Sequence, residues 1–373
     1  MNGNNKPKEF RFLPAVFAVE NTYQIMIPVR KETLLWVEVD GESYFDHSNG
    51  VLRSDTKIHR VSVPADALDR AGEYTVCFRN VIKRLPYYTQ TGPIKRYAYK
   101  FRPIRSEGEI NIYHLADTHG EAVCSAKAGQ YFGDDIDLLV LNGDIYDHSG
   151  REKNLFITFD LCEKITGGGH PCVFSRGNHD LRGSFAEKLT EYGPNSNGKS
   201  YYTFRLGRLW GIVLDCGEDK DDSHREYGNT VACSVFRREE TKFLKEVAEK
   251  EEYLADGIDY RLVIVHSPFT HTQEPPFDIE DALYREWAHI LKTKIKPQLI
   301  LSGHLHETLI SEIGSEFDDK GQPCPVVVGS RSVGNRIKTT DFIGCAVTLN
   351  SDEAKVEFTN AECKALESKT LKI

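Results

Sequence analysis

The 373-residue sequence contains no apolar run of about 18 residues, so it predicts no membrane-spanning helix. Its first ten residues are polar and lack the apolar core of a signal peptide. We therefore expect a cytoplasmic protein, or an exported one if a signal peptide has been removed from this chain. We also expect no membrane partner.

Positive charge is in short supply. The chain has 47 Lys and Arg residues against 56 Asp and Glu residues, and its formal net charge is −9. Nucleic acids and anionic membranes are usually bound through a basic face. The composition therefore argues against a nucleic-acid partner, although it is compatible with a local basic patch.

Paired cysteines are also lacking. The nine cysteines are an odd number, and no two have the CxxC spacing. This argues against a thiolate zinc site or a redox dithiol. Reduced thiols in a reducing compartment are the simplest interpretation.

The first part of the chain, residues 1–105, is rich in short strand-like runs separated by turn signals and shows no helical period. The runs cover residues 15–20, 23–29, 34–39, 58–63, 74–78 and 97–101. Residues 68–74, which end at Tyr74, are similar to the tyrosine corner of immunoglobulin-like sandwiches. We predict a small all-β, immunoglobulin-like sandwich domain over 1–105, of unknown role and with an unknown protein partner.

The pattern changes at residues 105–108, and from there strand-like runs alternate with helical ones. We therefore predict a second, α/β domain over 106–373. Five of its apolar runs are followed within a few residues by Asp, Asn or His. These side chains are Asp117 and His119, Asp144, Asn178 with His179 and Asp180, His266, and finally His304 and His306. Candidate ligands that follow successive strands gather at one edge of an open α/β sheet.

Each of these segments alone has an ordinary structural interpretation, such as a helix cap, a turn or a core histidine. Together they would crowd carboxylates and imidazoles at one buried edge, which is costly without a cation. The set contains no thiolate, and its mixture of carboxylate and imidazole suits manganese, iron or zinc. The sequence thus predicts a site for two divalent or mixed-valence transition metal ions.

The ordered motifs resemble those of the calcineurin-like metallophosphoesterase superfamily over roughly residues 108–350. They are Asp117-x-His119, Gly143-Asp144-x-x-Asp147, Gly177-Asn178-His179-Asp180, His266 and Gly303-His304-x-His306. The resemblance implies two mixed β-sheets sandwiched between helices. It also implies a metal-dependent hydrolase that cleaves a phosphomonoester or phosphodiester.

The resemblance also implies roles for single residues. Asp117, His119 and His306 would bind the first metal, Asn178, His266 and His304 the second, and Asp144 would bridge both. Hydroxide activated by the two metals would attack phosphorus, and His179 would protonate the leaving group. Asp180 would hold the His179 ring. Arg176 is expected either to bind phosphate oxygens or to be a surface arginine.

The motifs depart from two branches of the superfamily. Purple acid phosphatases have Gly in place of His119 and a Tyr ligand in place of Asp147, so we expect no tyrosinate-to-iron colour. The Arg-Gly of Ser/Thr protein phosphatases is replaced by His148-Ser149, which argues against that activity. A small phosphoester is the expected substrate. A nuclease of the same superfamily and a non-enzymatic scaffold on this fold are the alternatives.

Two further segments are candidates for shaping specificity. Residues 215–230 form either a lid or a solvated acidic loop. Arg331, Arg336 and Lys338 form either a phosphate-binding group or a basic surface turn.

Overall fold

The computed structural model describes residues 6–335 and 338–373. The part before residue 105 consists of strands and a short helix. In chain order these are β1 (Ala15–Val19), β2 (Thr22–Pro28), β3 (Thr33–Val39), β4 (Glu42–Phe45), β5 (His47–Ser48), β6 (Val51–Leu52), β7 (Ile58–Pro64), α1 (Ala65–Ala71), β8 (Glu73–Leu85), β9 (Tyr88–Thr91) and β10 (Lys95–Lys100).

The part after residue 105 alternates strands and helices and then ends in strands. Its elements are β11 (Ile110–Leu115), α2 (Cys124–Ala128), β12 (Leu138–Asn142), α3 (Glu152–Leu155), α4 (Ile157–Thr166), β13 (Pro171–Ser175), α5 (Leu189–Tyr192), β14 (Tyr202–Leu206), β15 (Leu209–Leu214), α6 (Cys233–Lys250), β16 (Tyr260–Val265), α7 (Asp281–Ile290), β17 (Leu299–Ser302), β18 (Leu309–Ser311), β19 (Val326–Val328), β20 (Arg331–Asn335), β21 (Lys338–Asn350), β22 (Glu353–Thr359) and β23 (Ala365–Lys372). Short 3₁₀ turns cover Gly133–Asp135, His179–Leu181, Ala186–Lys188 and Glu252–Leu254, and a π-turn covers Leu291–Ile295.

Two large mixed sheets form the centre of the molecule. One has the order β23-β22-β21-β11-β12-β13-β1-β2-β7, with β20 paired to β21, and the other has the order β14-β15-β16-β17-β19-β18. Their inner faces share one hydrophobic cluster, to which Ile112 and Val140 of the first sheet and Leu262 and Leu301 of the second belong. Two further clusters lie on the outer faces, one under α2 and α4 and one under α6 and α7. This confirms the predicted sandwich of two mixed sheets between helices.

The sequences of the elements explain this layering. The strands β12 and β16 are almost entirely apolar and buried, as expected for parallel strands covered on both faces. Helix α6 buries Leu244 and Val247 on one side and exposes Lys and Glu on the other. Helix α4 ends at Gly167, whose φ of 56° is the left-handed conformation that glycine adopts at little cost.

The first strands form a sandwich with a second antiparallel sheet, β10-β8-β3-β4. Strand β3 buries every second side chain, and its Leu35 and Val37 belong to the same cluster as Ile25 and Val61. However, β1 pairs in parallel with β13, so one layer of this sandwich is continuous with the ten-stranded sheet. Only one of the two layers therefore consists wholly of the first strands, and the boundary at residue 105 stays a prediction.

Tyr74 also joins the two parts of the chain. Its hydroxyl donates a hydrogen bond to the carbonyl oxygen of Gly168, 2.8 Å away in the turn after α4. A tyrosine corner would direct this hydroxyl to backbone a few residues upstream. The tyrosine-corner prediction is therefore wrong.

Across the described residues, no helix has both the length and the apolar character needed to cross a membrane.

Candidate metal centre

The predicted ligands lie where strands of both large sheets end at one edge of the molecule. Strands β11, β12 and β13 belong to the ten-stranded sheet, and β16 and β17 to the six-stranded sheet. The structure brings together all seven side chains predicted to bind metal: Asp117, His119, Asp144, Asn178, His266, His304 and His306. Their function as ligands stays a prediction.

One half of the site is formed by two histidines and two aspartates. His119 Nε2 and His306 Nε2 are 2.9 Å apart, and His306 Nε2 lies 3.5 Å from Asp117 Oδ1. Asp144 Oδ2 is 3.9 Å from His119 Nε2. One potential ligand atom from each of these four residues lies within 4.8 Å of all the others. This spacing is suitable for a single metal ion.

The other half is reached through Asp144. Its Oδ2 lies 3.3 Å from His266 Nε2, while Asn178 Oδ1 and His304 Nδ1 are 3.1 Å apart. Asp144 thus contacts side chains of both halves, which is the position that a bridging carboxylate requires.

Five of the seven predicted ligands have a left-handed backbone conformation, which is uncommon for residues other than glycine. Their φ angles are 53° for Asp117, 46° for His119, 51° for Asp144, 72° for His304 and 54° for His306. Such conformations persist where the surrounding structure enforces them, and they cluster at functional sites. Each turn is folded tightly at the strand end, so that the side chains converge.

Asn142 ties the two sheets together beneath the site. Its amide nitrogen donates to the carbonyl oxygen of Leu301 at 2.9 Å, and its own carbonyl oxygen accepts from His266 Nδ1 at 2.7 Å. Because Nδ1 of His266 donates to this carbonyl, Nε2 is the atom that faces the carboxylates. The next residue, Gly143, has a φ of 79°, and an added Cβ would lie 2.5 Å from the His266 ring. Only glycine fits this close approach.

Burial and neighbouring charges shift the pKa values of several side chains in the site strongly. Burial raises the pKa of Asp117 to about 8, with Asp144 adding to the rise and His266 opposing it. Burial lowers the pKa of His266, but the two carboxylates outweigh it and raise that pKa to about 10. Burial, together with the charge of His266, lowers the pKa of His304 to about 4. The buried carboxylates therefore depend on a positive partner.

Two buried atoms show where that partner fits. Within the described residues, Asp117 Oδ1 and His266 Nε2 make no hydrogen bond, and they lie 3.8 Å apart. Buried polar atoms without hydrogen bonds are costly, and a pair of metal ions, one beside each atom, would satisfy both. The donor set present here therefore fits divalent cations.

The His179 ring is held by backbone and by an arginine, not by Asp180. His179 Nδ1 donates to the carbonyl oxygen of Asp147 at 3.0 Å. Asp180 Oδ2 instead accepts from the backbone N–H groups of Gly177 (2.8 Å) and Asp144 (3.1 Å). The prediction that Asp180 holds the imidazole is wrong, because its carboxylate instead binds the backbone of the two turns that carry Asp144 and Asn178.

Arg176 is turned away from the site. Its side chain is largely buried (15% exposed), with Nε 2.7 Å from Asp215 Oδ2 and the guanidinium 5.2 Å from the centre of the Phe236 ring. The structure contradicts both expectations for Arg176, a phosphate ligand and a surface arginine. A buried guanidinium needs a carboxylate partner, and Asp215 supplies it.

Sequence reasoning missed the roles of Arg182 and Asp219. Arg182 Nη1 donates to His179 Nε2 at 3.1 Å, and Asp219 Oδ2 accepts from Asn178 Nδ2 at 3.2 Å. Asp219 lies in the segment predicted as a lid or a solvated loop, and it faces the cleft. The sequence contained one signal for the role of Arg182, namely that it lies only three residues after His179.

Two clefts flank the predicted ligands. One, of about 590 Å³, lies beside Asp117, His119 and His306 and has Arg331 in its wall. The other, of about 250 Å³, is lined by Asn178, His179, Asp219 and His304, and Asp144 and His306 also reach it. Of the other predicted basic residues, Arg336 and the side chain of Lys338 lie outside the described residues.

A helix-flanked sandwich of two mixed sheets, with a carboxylate–imidazole cluster at its edge, is the architecture of metallophosphoesterases. A family profile described as calcineurin-like phosphoesterase matches residues 110–308, more than half of the chain. The chain belongs to this family.

Two solved structures have a similar fold over nearly the whole length of this chain. Purple acid phosphatase PPD1 from yellow lupin (Lupinus luteus) seeds has a TM-score of 0.61 and 13% identity, with 96% of this chain and 74% of that chain covered. PhoD has a TM-score of 0.58 and 13% identity, with 98% and 90% covered. Identity this low shows similarity of fold alone, but the coverage includes the first strands. No curated protein matches the sequence.

Proposed function

We infer that this protein is a metal-dependent hydrolase of phosphoester bonds. The observation that supports this most directly is the pair of buried atoms, Asp117 Oδ1 and His266 Nε2, which lie 3.8 Å apart and make no hydrogen bond within the described part of the chain. All seven predicted ligand side chains are present and converge, which favours catalysis over a scaffold role.

The proposed division of the ligands follows the two halves of the site. Asp117, His119 and His306 would hold one ion, and Asn178, His266 and His304 the other, with Asp144 shared. When bound, two such ions, of manganese, iron or zinc, supply the Lewis acidity that activates water and neutralises phosphate charge.

His179 is the proposed proton donor to the leaving group. In this structure its Nδ1 carries the proton, since it donates to the Asp147 carbonyl, and its Nε2 accepts from Arg182. A proton can occupy Nε2 only when Arg182 turns away. The phosphate oxygens of a bound substrate would attract the Arg182 guanidinium and so free Nε2 for the proton.

The two clefts are compatible with a small phosphoester. The leaving group would lie in the cleft beside His179, and a second substituent on phosphorus would lie in the larger cleft, where Arg331 contributes positive charge. A monoester needs only the first cleft, whereas a diester would use both.

A panel of phosphomonoesters and phosphodiesters, tested with Mn²⁺, Fe²⁺ and Zn²⁺ separately, examines this proposal. We expect hydrolysis that depends on added metal and is abolished by a chelator. Absence of hydrolysis with every ester and every metal, in a protein shown to bind the metal, would contradict the proposed activity.

A further inference from the structure

Asn178 presents a particular problem as a metal ligand. The two ends of an amide have nearly the same shape, but only the oxygen binds a cation. A half-turn about the last side-chain bond would place Nδ2 where Oδ1 should be. The structure must therefore contain something that distinguishes the two ends.

Asp219 makes that distinction. Its Oδ2 accepts a hydrogen bond from Asn178 Nδ2 at 3.2 Å. The amide oxygen then lies on the other side, 3.1 Å from His304 Nδ1, in the half of the site assigned to the second ion. If the amide turned, Asn178 Oδ1 would face a carboxylate oxygen and the two would repel each other.

The Asp219 carboxylate is itself held firmly. Its other oxygen, Oδ1, accepts from Tyr227 Oη at 2.8 Å, Lys220 Nζ at 2.9 Å and Arg182 Nη2 at 3.3 Å. The side chain is only 9% exposed. With three donors on Oδ1, only Oδ2 is directed toward Asn178.

The same arginine also contacts His179. Arg182 Nη1 donates to His179 Nε2, while its Nε and Nη2 bond to Glu218. The segment that contains Glu218 and Asp219 therefore contacts Asn178 directly and His179 through Arg182.

We propose that Asp219 is a positioning residue for the second metal site, which sets the Asn178 amide with its oxygen toward the metal. This rests on the proposed function in assigning Asn178 as a ligand. Asp219 acts through Asn178, and Lys220 and Tyr227 fix its own orientation, also when Arg182 turns toward bound substrate.

A swap of the two side chains tests this proposal. In Asp219→Asn, the new amide oxygen remains with the three donors and the new NH₂ group faces Asn178, so the Asn178 amide turns its oxygen away from the metal. In the double variant Asn178→Asp and Asp219→Asn, the NH₂ group donates to a carboxylate, whose second oxygen is free for the metal. The hydrogen bond is restored with its direction reversed.

The measurement is calorimetric titration of the metal-stripped full chain with MnCl₂, which counts ions independently of catalysis. We expect two ions in the unmodified protein and at least about tenfold weaker binding of one ion in Asp219→Asn, the scale of change for residues that orient a ligand. The double variant should recover that ion. Asp221→Asn, which removes an exposed carboxylate from the same segment, should retain both.

Three results would overturn the proposal. They are two tightly bound ions in Asp219→Asn, no recovery in the double variant, or the same loss in Asp221→Asn. A protein that binds two ions but hydrolyses no ester would refute the proposed function and leave the metal-binding comparison valid.

Discussion

His119 Nε2 and His306 Nε2 lie 2.9 Å apart, although the two residues are 187 positions apart in sequence and follow strands of different sheets. Both atoms also lie within 4.0 Å of Asp117 Oδ1. Such an arrangement of two ring nitrogens and a buried carboxylate oxygen is compatible with a common metal ion. The packing of the two sheets is what brings them together.

The first prediction separates the two histidines after β17. His304 lies against Asn178, whereas His306 lies against His119 and Asp117. His304→Ala and His306→Ala should therefore each lose a different ion. Metal analysis, combined with spectra of protein loaded with cobalt, distinguishes the two sites. Loss of the same ion in both variants would contradict the division.

The second prediction concerns His179. Its replacement by Ala removes a proton donor and should slow hydrolysis by roughly 10²–10⁴-fold. The loss should be largest for esters with alcohol leaving groups and smallest for nitrophenyl esters, because nitrophenolate leaves without a proton. Rates across a series of leaving groups provide the measurement, and metal content should remain normal. A uniform loss across the series would count against proton donation.

The third prediction concerns Arg176. Arg176→Ala leaves the Asp215 carboxylate buried without its cation and should lower the free energy of unfolding by about 3–5 kcal/mol. KM should hardly change, because the guanidinium is turned away from the cleft. Denaturant unfolding and steady-state kinetics measure the two effects. The exposed Arg225 is a matched control, and its replacement by Ala should change stability by no more than about 0.5 kcal/mol.

If instead Arg176→Ala retained full stability and raised KM tenfold or more, Arg176 would be a phosphate ligand after all. That result would require the guanidinium to leave Asp215 when substrate binds.

The fourth prediction concerns the first strands. A fragment of residues 106–373 lacks β1, which pairs with β13, and lacks Val16 and Tyr23 of the central hydrophobic cluster. The exposed strand edge and apolar surface should make the fragment aggregate or unfold at a lower temperature than the full chain. Thermal unfolding and light scattering measure this. A fragment as stable as the full chain would support an independent domain at the predicted boundary.

The main features of the fold were predictable because they depend on local patterns. Apolar runs such as β12 and β16, each followed by Asp or His, indicated both the strands and the edge where they end. Strand β23 was not predicted, because almost all of its side chains are exposed and its sequence is mainly polar. The pairing of β1 with β13 was not predictable either, because the two strands are distant in sequence and no local signal specifies the partner of a strand edge.

The convergence of the candidate ligands was predictable from the sequence, but the contacts of the residues around them were not. The spacing of Asp117 and His119, or of His304 and His306, is visible in the sequence. The partners of Asp180, Arg176 and Asp219 depend on the path of the loops, which brings Asp219 to Asn178 across 41 positions. These contacts require the fold itself.

The central claim is that this edge of the two sheets binds a pair of metal ions. Anomalous diffraction from crystals of the protein loaded with Mn²⁺ tests it most directly. We predict two anomalous peaks about 3.5–4 Å apart, the usual separation in two-metal sites, with Asp144 between them. A single peak, or no peak at these side chains in crystals grown with saturating Mn²⁺, would contradict the two-metal account.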